Sequence, residues 1–262
     1  MRDADEDRGI TPPEPTIEAG VREFLRAVAS DIPLPLSTAF AVWEMRFPSP
    51  FTKRLIEWNQ HVYRELRRLH AELDGKALSE DEAFVSTVYR TTEMAMRDHQ
   101  KEKLEALRNA LLNTAIGKAP HDDLRLMFLN MIDMMTPWHI RLLDFYRDPL
   151  EWVQTRNITP PAQQTLRPKV AGQGVTVVYG SEGPDVTRFV DVFFPDFEDG
   201  VDVFRHIQSE LTDKGLLRTH HQAIGLYPQG TDIWTACSLS SMGKMFLDFI
   251  TSPIEPEKSD NE

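Results

Sequence analysis

The chain has 262 residues, of which 41% are hydrophobic and 27% charged, with a formal net charge of −12; this is the composition of a folded protein with one large or two small cores, and it excludes collagenous, low-complexity and polybasic classes. Its single cysteine, Cys237, excludes an intrachain disulfide and a thiolate metal cluster and points to a reducing compartment. The acidity lies mostly at the ends, because residues 1–20 hold six acids against two bases and residues 253–262 four against one, together −7 of the −12, so the middle of the chain is only mildly acidic.

Residues 1–15 are acidic and proline-containing, without the basic and apolar regions of a secretory leader, and read as a disordered tail in a cytoplasmic protein. Thr16 is placed to cap a first helix through about Ser30, with Ile17, Val21, Leu25 and Val28 on one face. Ile32-Pro33-Leu34-Pro35 stops it. The apolar stretch that follows has only 12 uncharged residues, Ile32 to Trp43, short of the roughly 20 that span a bilayer, and reads as a buried connector. Ser49 and Pro50 then give a cap followed by a first-turn proline. Leu55, Trp58, Val62, Leu66, Leu69 and Leu73 follow at spacings of three and four up to Gly75, the clearest amphipathic helix in the chain.

Ser79-Glu80-Asp81-Glu82 has the form of a capping box. The helical pattern it opens runs to Gly117 but turns polar from Arg97 to Lys103, which leaves open one helix or two. Pro120 and Asp122 open the next, with Leu124, Met127, Phe128, Met131 and Met135 on its apolar line, and Thr136-Pro137 stops that helix and starts another through Arg147, on which Trp138, Leu142 and Phe145 are expected in the core. Residues 156–183 lose periodicity apart from a strand-like run at Val175 to Tyr179 and read as a loop insertion. Helical spacing returns at Val186 to Phe193 and at Val201 to Leu216. Two strand-like runs, His221 to Tyr227 and Asp232 to Leu239, flank Pro228-Gln229-Gly230-Thr231, and Ser241 to Ile250 closes the fold as an amphipathic helix.

The expected fold is therefore mainly α. A long-helix domain occupies residues 16–135, a winged-helix-like module with a small β-hairpin occupies residues 136–251, and the acidic tails 1–15 and 252–262 flank them. A winged helix suggests DNA binding first, yet from Val201 to Ser252 the bases Arg205, Lys214, Arg218 and Lys244 face the acids Asp202, Glu210, Asp213, Asp232 and Asp248. Duplex affinity comes mainly from phosphate contacts, so nucleic acid is not favoured as a partner.

Signals for chemistry are sparse. His206 with His220-His221 is the one histidine grouping, and neighbouring strand residues point to opposite faces, so no metal site is expected; His61, His70, His99 and His139 read as isolated. Gly172-Gln173-Gly174 precedes a strand-like run instead of following one, which is the wrong order for a phosphate loop. Cys237 reads as a small core residue. The reading is a non-enzymatic protein without a cofactor, against a hydrolase using His and Asp as the competing class. Met94, Met96, Met127, Met131, Met134 and Met135 read as core packing in preference to an adaptable binding face. The interaction candidates are Trp43, Phe47 and Phe51 in the apolar stretch and Arg64, Arg67 and Arg68 on the helix after it, a pairing that also suits a peripheral contact with an anionic membrane, the less favoured alternative. The expected partner is a protein, a second copy of the chain included.

Phe47-Pro48-Ser49-Pro50-Phe51-Thr52-Lys53-Arg54 opening a long helix, then Lys103 to Asn113, then Phe128 to Pro149 is an order that resembles a bacterial helical family similar in layout to the Abi-alpha proteins, which are associated with abortive infection. The resemblance covers about Phe24 to Pro149 and, more loosely, Pro184 to Ile250. It implies an apolar N-terminal segment, long helices and a small C-terminal module, and a role in bacterial defence or stress response; it brings no catalytic residues.

Overall fold

A computed structural model describes residues 15–30, 42–43, 45–47, 49–69, 73, 77–158, 186–219 and 237–254. The acidic tails apart from Pro15 and Ser252–Ile254, most of the Ile32 to Trp43 stretch, the 156–183 insertion beyond residue 158, the Val175 to Tyr179 run, His220-His221, the expected strand His221 to Tyr227, the expected strand Asp232 to Leu239 before Cys237, and the proline-glycine turn lie outside the described residues. The described chain is mainly helical, with ten α-helices, one 3-10 turn and one antiparallel pair of short strands. Its contacts divide it into two compact units, Met1–Met134 with Phe249–Glu262, and Met135–Asp248.

In the first unit, α1 (Ile17–Ser30) starts where Thr16 Oγ1 accepts the Ala19 N–H at 3.1 Å. Its buried face is Gly20, Val21, Phe24 and Ala27, with Ile17, Leu25 and Val28 only half-buried. The expected stripe is thus rotated about Val21 toward Phe24, because the one aromatic ring of the helix gains more from burial than Leu25 or Val28 does. Helix α2 (Pro50–Arg68) is capped by Ser49, whose Oγ accepts the Thr52 N–H at 3.1 Å. It buries Leu55, Ile56, Trp58, Val62 and Leu66, and the Trp58 indole N–H donates to Thr92 Oγ1 at 3.1 Å. The helix ends at Arg68, with Leu69 as its C-cap, one to two turns before the expected stop at Gly75.

The capping box at Ser79 does not form. Leu78–Glu80 is a 3-10 turn, and Asp81 caps α3 (Glu82–Arg97) by accepting the Ala83 and Phe84 N–H groups on one carboxylate oxygen at 2.9 and 3.1 Å. A carboxylate at a helix N-terminus gains the dipole as well as the hydrogen bonds, which favours Asp81 over Ser79. The polar run then resolves into a break. Asp98 Oδ1 accepts the Gln100 N–H at 2.8 Å, and α4 (Lys101–Ala115) begins as a separate helix. Lys103, almost fully buried, sits 2.7 Å from Asp98 and donates to the Asp133 carbonyl at 3.0 Å. Burial raises the Asp98 pKa, but the hydrogen bond from Lys103 and those from the Gln100 and His99 backbones outweigh it and hold the carboxyl below its ordinary range.

Helix α4 buries Ala106, Leu107 and every residue from Asn109 to Ala115. Helix α5 (Asp122–Met134) adds Phe128, Leu129 and Ile132. The expected methionine core divides: Met94, Met96 and Met135 are buried, but Met127 and Met134 are exposed, at 37% and 70%. Met131 and Leu124 are half-buried. The reason is rotational, since Phe128, Leu129 and Ile132 set the inward face and Met127 and Met134, seven residues apart, fall together on the outward one.

In the second unit, α6 (Pro137–Arg147) and α7 (Pro149–Thr155) precede the described part of α8 (Val186–Phe193) and α9 (Val201–Asp213). Strand β1 (Leu217–Thr219) pairs antiparallel with β2 (Cys237–Leu239), in the register Leu217 to Leu239 and Thr219 to Cys237, and α10 (Ser241–Ile250) follows, its last two residues, Phe249 and Ile250, counted in the first unit. The core is aromatic. Phe145 lies 5.1 to 5.9 Å from the rings of Tyr146, Trp152, Phe193 and Phe194, mostly edge-on, the arrangement that ring quadrupoles prefer. Leu142 and Phe145 are buried as expected, whereas Trp138 is half-buried, edge-on to Phe197 at 4.8 Å with the Arg141 guanidinium 4.6 Å from its ring centre. Glycine is required twice at the β-turn region: Gly215 has a φ of 73°, and a Cβ on Gly243 would stand 2.1 Å from the Leu216 carbonyl oxygen. Ser240 completes that junction, donating to the Gly215 carbonyl and accepting the Gly243 N–H.

Candidate functional site

The structure separates the six interaction candidates by exposure. Trp43 is 3% exposed and lies in the core. The Phe47 N–H donates to the Trp43 carbonyl at 2.7 Å, closing one helical turn, and Phe47 and Phe51 are half-buried. Arg64, Arg67 and Arg68 are exposed on α2, with Arg68 3.3 Å from Glu65 and Arg64 donating weakly to the Gln60 carbonyl. Arg67, Tyr63 and Leu66 line a cleft of about 40 Å³ with Ala27 and Leu78, room for water and far below the several hundred Å³ of a substrate pocket. Among the described residues no helix is long and apolar enough to cross a membrane.

A stronger constellation lies in the second unit, built on two histidines that read as unconnected in the sequence. His139 occupies the third position of α6 and is 4% exposed. Its Nδ1 lies 3.1 Å from the Thr136 backbone nitrogen and 2.8 Å from Thr136 Oγ1. A backbone N–H can only donate, so Nδ1 is the acceptor and the ring proton resides on Nε2. That proton is given to Glu210 Oε2 at 2.9 Å, across 71 residues of sequence. His139 thereby does what a glutamate does in a capping box, reaching back to the N-cap backbone, while its far edge ties α6 to α9.

Glu210 gathers further charge. Its Oε1 lies 3.3 Å from His206 Nε2 and its Oε2 3.8 Å from Lys214 Nζ. The His139 hydrogen bond is the main cause that holds the Glu210 carboxyl below its ordinary range, against a smaller upward push from burial and with help from Lys214, His139 and His206. For His139 itself burial comes first and lowers the pKa. Glu210 raises it through hydrogen bond and charge, Lys214 and His206 lower it again, and the net result is an imidazole that stays neutral below the ordinary histidine range. His61 is also engaged, accepting from Arg108 at 3.1 Å; burial first, then Arg108 and Arg64, lower its pKa, and Glu65 and Glu105 oppose them.

Hydroxyl, imidazole and carboxylate in line suggest a nucleophile relay. The geometry argues for a structural use instead, because the single Nδ1 lone pair is already shared by the Thr136 N–H and hydroxyl, and taking up a proton would undo the helix cap. No group of three or more His, Cys, Asp or Glu among the described residues is arranged to hold a metal ion. The Thr136-x-x-His139 spacing is the one local signal that could have revealed half of the cluster; nothing in the sequence marks Glu210 as its partner. No known protein family, curated protein or solved structure matches the chain.

Proposed function

We propose that this is a non-enzymatic protein-interaction protein whose second unit is a winged-helix-like contact module. The order α6, α8, α9, β1, β2, α10 supports the module, with α9 in the place of the helix that a winged helix presents outward. The observation that carries the protein-binding reading is the exposed face of α9. Asp202, Val203, Arg205, His206, Ser209 and Asp213 are exposed there, and Val203 reaches 42%. Two acids to one arginine oppose a phosphate backbone, and an exposed β-branched residue among them offers an apolar anchor to a protein surface. The partner is a protein, a second copy of the chain included. The resemblance in layout to abortive-infection proteins supports a place in bacterial defence or stress response.

Fluorescence anisotropy with random duplex DNA at low salt tests the exclusion of nucleic acid. The expected result is weak binding at most; a tight complex whose affinity falls steeply with salt would refute the reading. A membrane-active effector working through residues 32–51 is the second reading, supported by exposed Val42 and Met45, at 41% and 81%. The buried Trp43 counts against it, and flotation with anionic liposomes that is lost in the Val42→Ser/Met45→Ser double variant would establish it.

A further inference from the structure

The Thr136, His139 and Glu210 geometry goes beyond a static cap, because the bond from the Thr136 N–H depends on His139 Nδ1 carrying no proton. We propose that these three residues form an acid-sensitive latch that fastens the first turn of α6 to α9 and loosens when a proton is added to His139 Nδ1. At neutral pH the ring accepts from the Thr136 N–H at 3.1 Å and donates to Glu210 at 2.9 Å. A proton on Nδ1 converts that acceptor into a donor facing the Thr136 N–H. The Thr136 N–H then faces a donor and loses its acceptor, and the new Nδ1–H can turn only to the Thr136 hydroxyl at 2.8 Å, so the backbone half of the cap is lost around a ring that is 4% exposed. The Glu210 side strengthens on protonation, so the two ends of the ring respond in opposite senses, and burial decides against the charged form.

The ionisable groups acting on the ring are Glu210, Lys214 and His206. The other elements against α6 carry Glu151 on α7, Arg188 and Asp191 on α8, and Cys237 on β2, and α6 itself carries Arg141, Asp144 and Arg147. The linkage sign follows from the lowered His139 pKa. An unfolded histidine takes its proton near 6.5, and the folded one only at lower pH. Above about 6.5 the latch contributes its full stability, and as pH falls below that value the unfolded chain binds more protons and the contribution is lost. The Glu210 contribution is separate: its lowered pKa confers stability present above about 4.5 and lost only as pH falls further.

The test is a residue-resolved titration of the full chain by imidazole NMR, joined to thermal unfolding at about pH 7 and about pH 5.5, a window that spans the ordinary histidine pKa. The latch requires His139 to be protonated on Nε2 at neutral pH and to titrate below about 6.5. In the His139→Gln variant, the amide can accept from Thr136 and donate to Glu210 without titrating. Its melting temperature should match the wild type at pH 7 and fall less on acidification. In Glu210→Gln the carboxylate charge is gone, and His139 should titrate lower still. A His139 that titrates at or above the ordinary value, a neutral ring protonated on Nδ1, an unchanged acid loss in His139→Gln, or an unmoved His139 titration in Glu210→Gln would each overturn the latch. The two NMR readings on the wild type and on Glu210→Gln decide the matter even where His139→Gln fails to fold. The latch belongs to the second unit and stands whatever α9 binds.

Discussion

The two units are held by different chemistry. The first is helix packing of aliphatic side chains with rings such as Phe24, Phe84 and Phe128 among them, closed by amides: Asn109 donates to the Ile250 carbonyl at 2.9 Å and Asn113 to those of Phe249 and Thr251, both at 2.9 Å. The second has a core of aromatic rings around Phe145 and a part-buried ionisable tie, His139 to Glu210. The amides in the first unit satisfy the last carbonyls of a helix, groups that have no intrahelical partner, and they do so at any pH. The tie in the second unit depends on protonation. The amide closure of the first unit is thus indifferent to pH and the tie of the second is a contact that mild acid can alter, while the first unit's own Asp98–Lys103 pair, its carboxyl held below the ordinary range, responds only at lower pH.

Substitutions ranked by expected effect sharpen this contrast. Phe145→Ala removes a fully buried ring with four aromatic neighbours and should cost about 3–5 kcal/mol in thermal or denaturant unfolding; a loss under about 1 kcal/mol would mean the aromatic cluster does not organise the second unit. Next comes Gly243→Ala, whose methyl would collide with the Leu216 carbonyl oxygen. An overpacking cost of about 1–3 kcal/mol or more is expected, and a variant as stable as the wild type would show that α10 does not approach the Leu216 carbonyl so closely. Asn113→Ala removes one donor from the Phe249 and Thr251 carbonyls. It should cost about 1–3 kcal/mol, with amide exchange quickening at Thr251 and no change in its pH dependence; a pH-dependent loss would erase the distinction between the units. The smallest effect belongs to Asp81→Ala, about 0.5–2 kcal/mol for the cap of α3, against no effect for Ser79→Ala if Asp81 alone holds that helix start.

What the sequence revealed followed from locality. Ser49-Pro50 and Thr16 gave the starts of α2 and α1 because a cap hydrogen bond spans three residues and needs nothing else. A break near Asp98 was one of the two alternatives that the polarity from Arg97 to Lys103 left open, and the sequence could not choose it because the groups that stabilise it, Lys103 on Asp98 and on the Asp133 carbonyl, meet only after folding. Ser79 and Asp81 are both competent caps two residues apart, and spacing cannot choose between them. The methionine face was misjudged by about a third of a turn: periodicity finds a stripe, and the neighbouring helices decide which edge of it is covered. The His139 to Glu210 contact was hidden altogether, because it joins residues 71 positions apart and neither residue type is unusual on a helix.

The protein-interaction reading rests on the outward face of α9, and exposed Met127 on α5 provides the comparison within the same chain. A photo-cross-linking residue placed at Val203, with a second variant carrying it at Met127, measures the reading most directly when activated in the native host. The account predicts a defined protein adduct at Val203 that is absent from the Met127 variant and is weakened by charge reversal at Asp202 and Asp213. A Val203 variant that cross-links to nothing, or to nucleic acid, would contradict it.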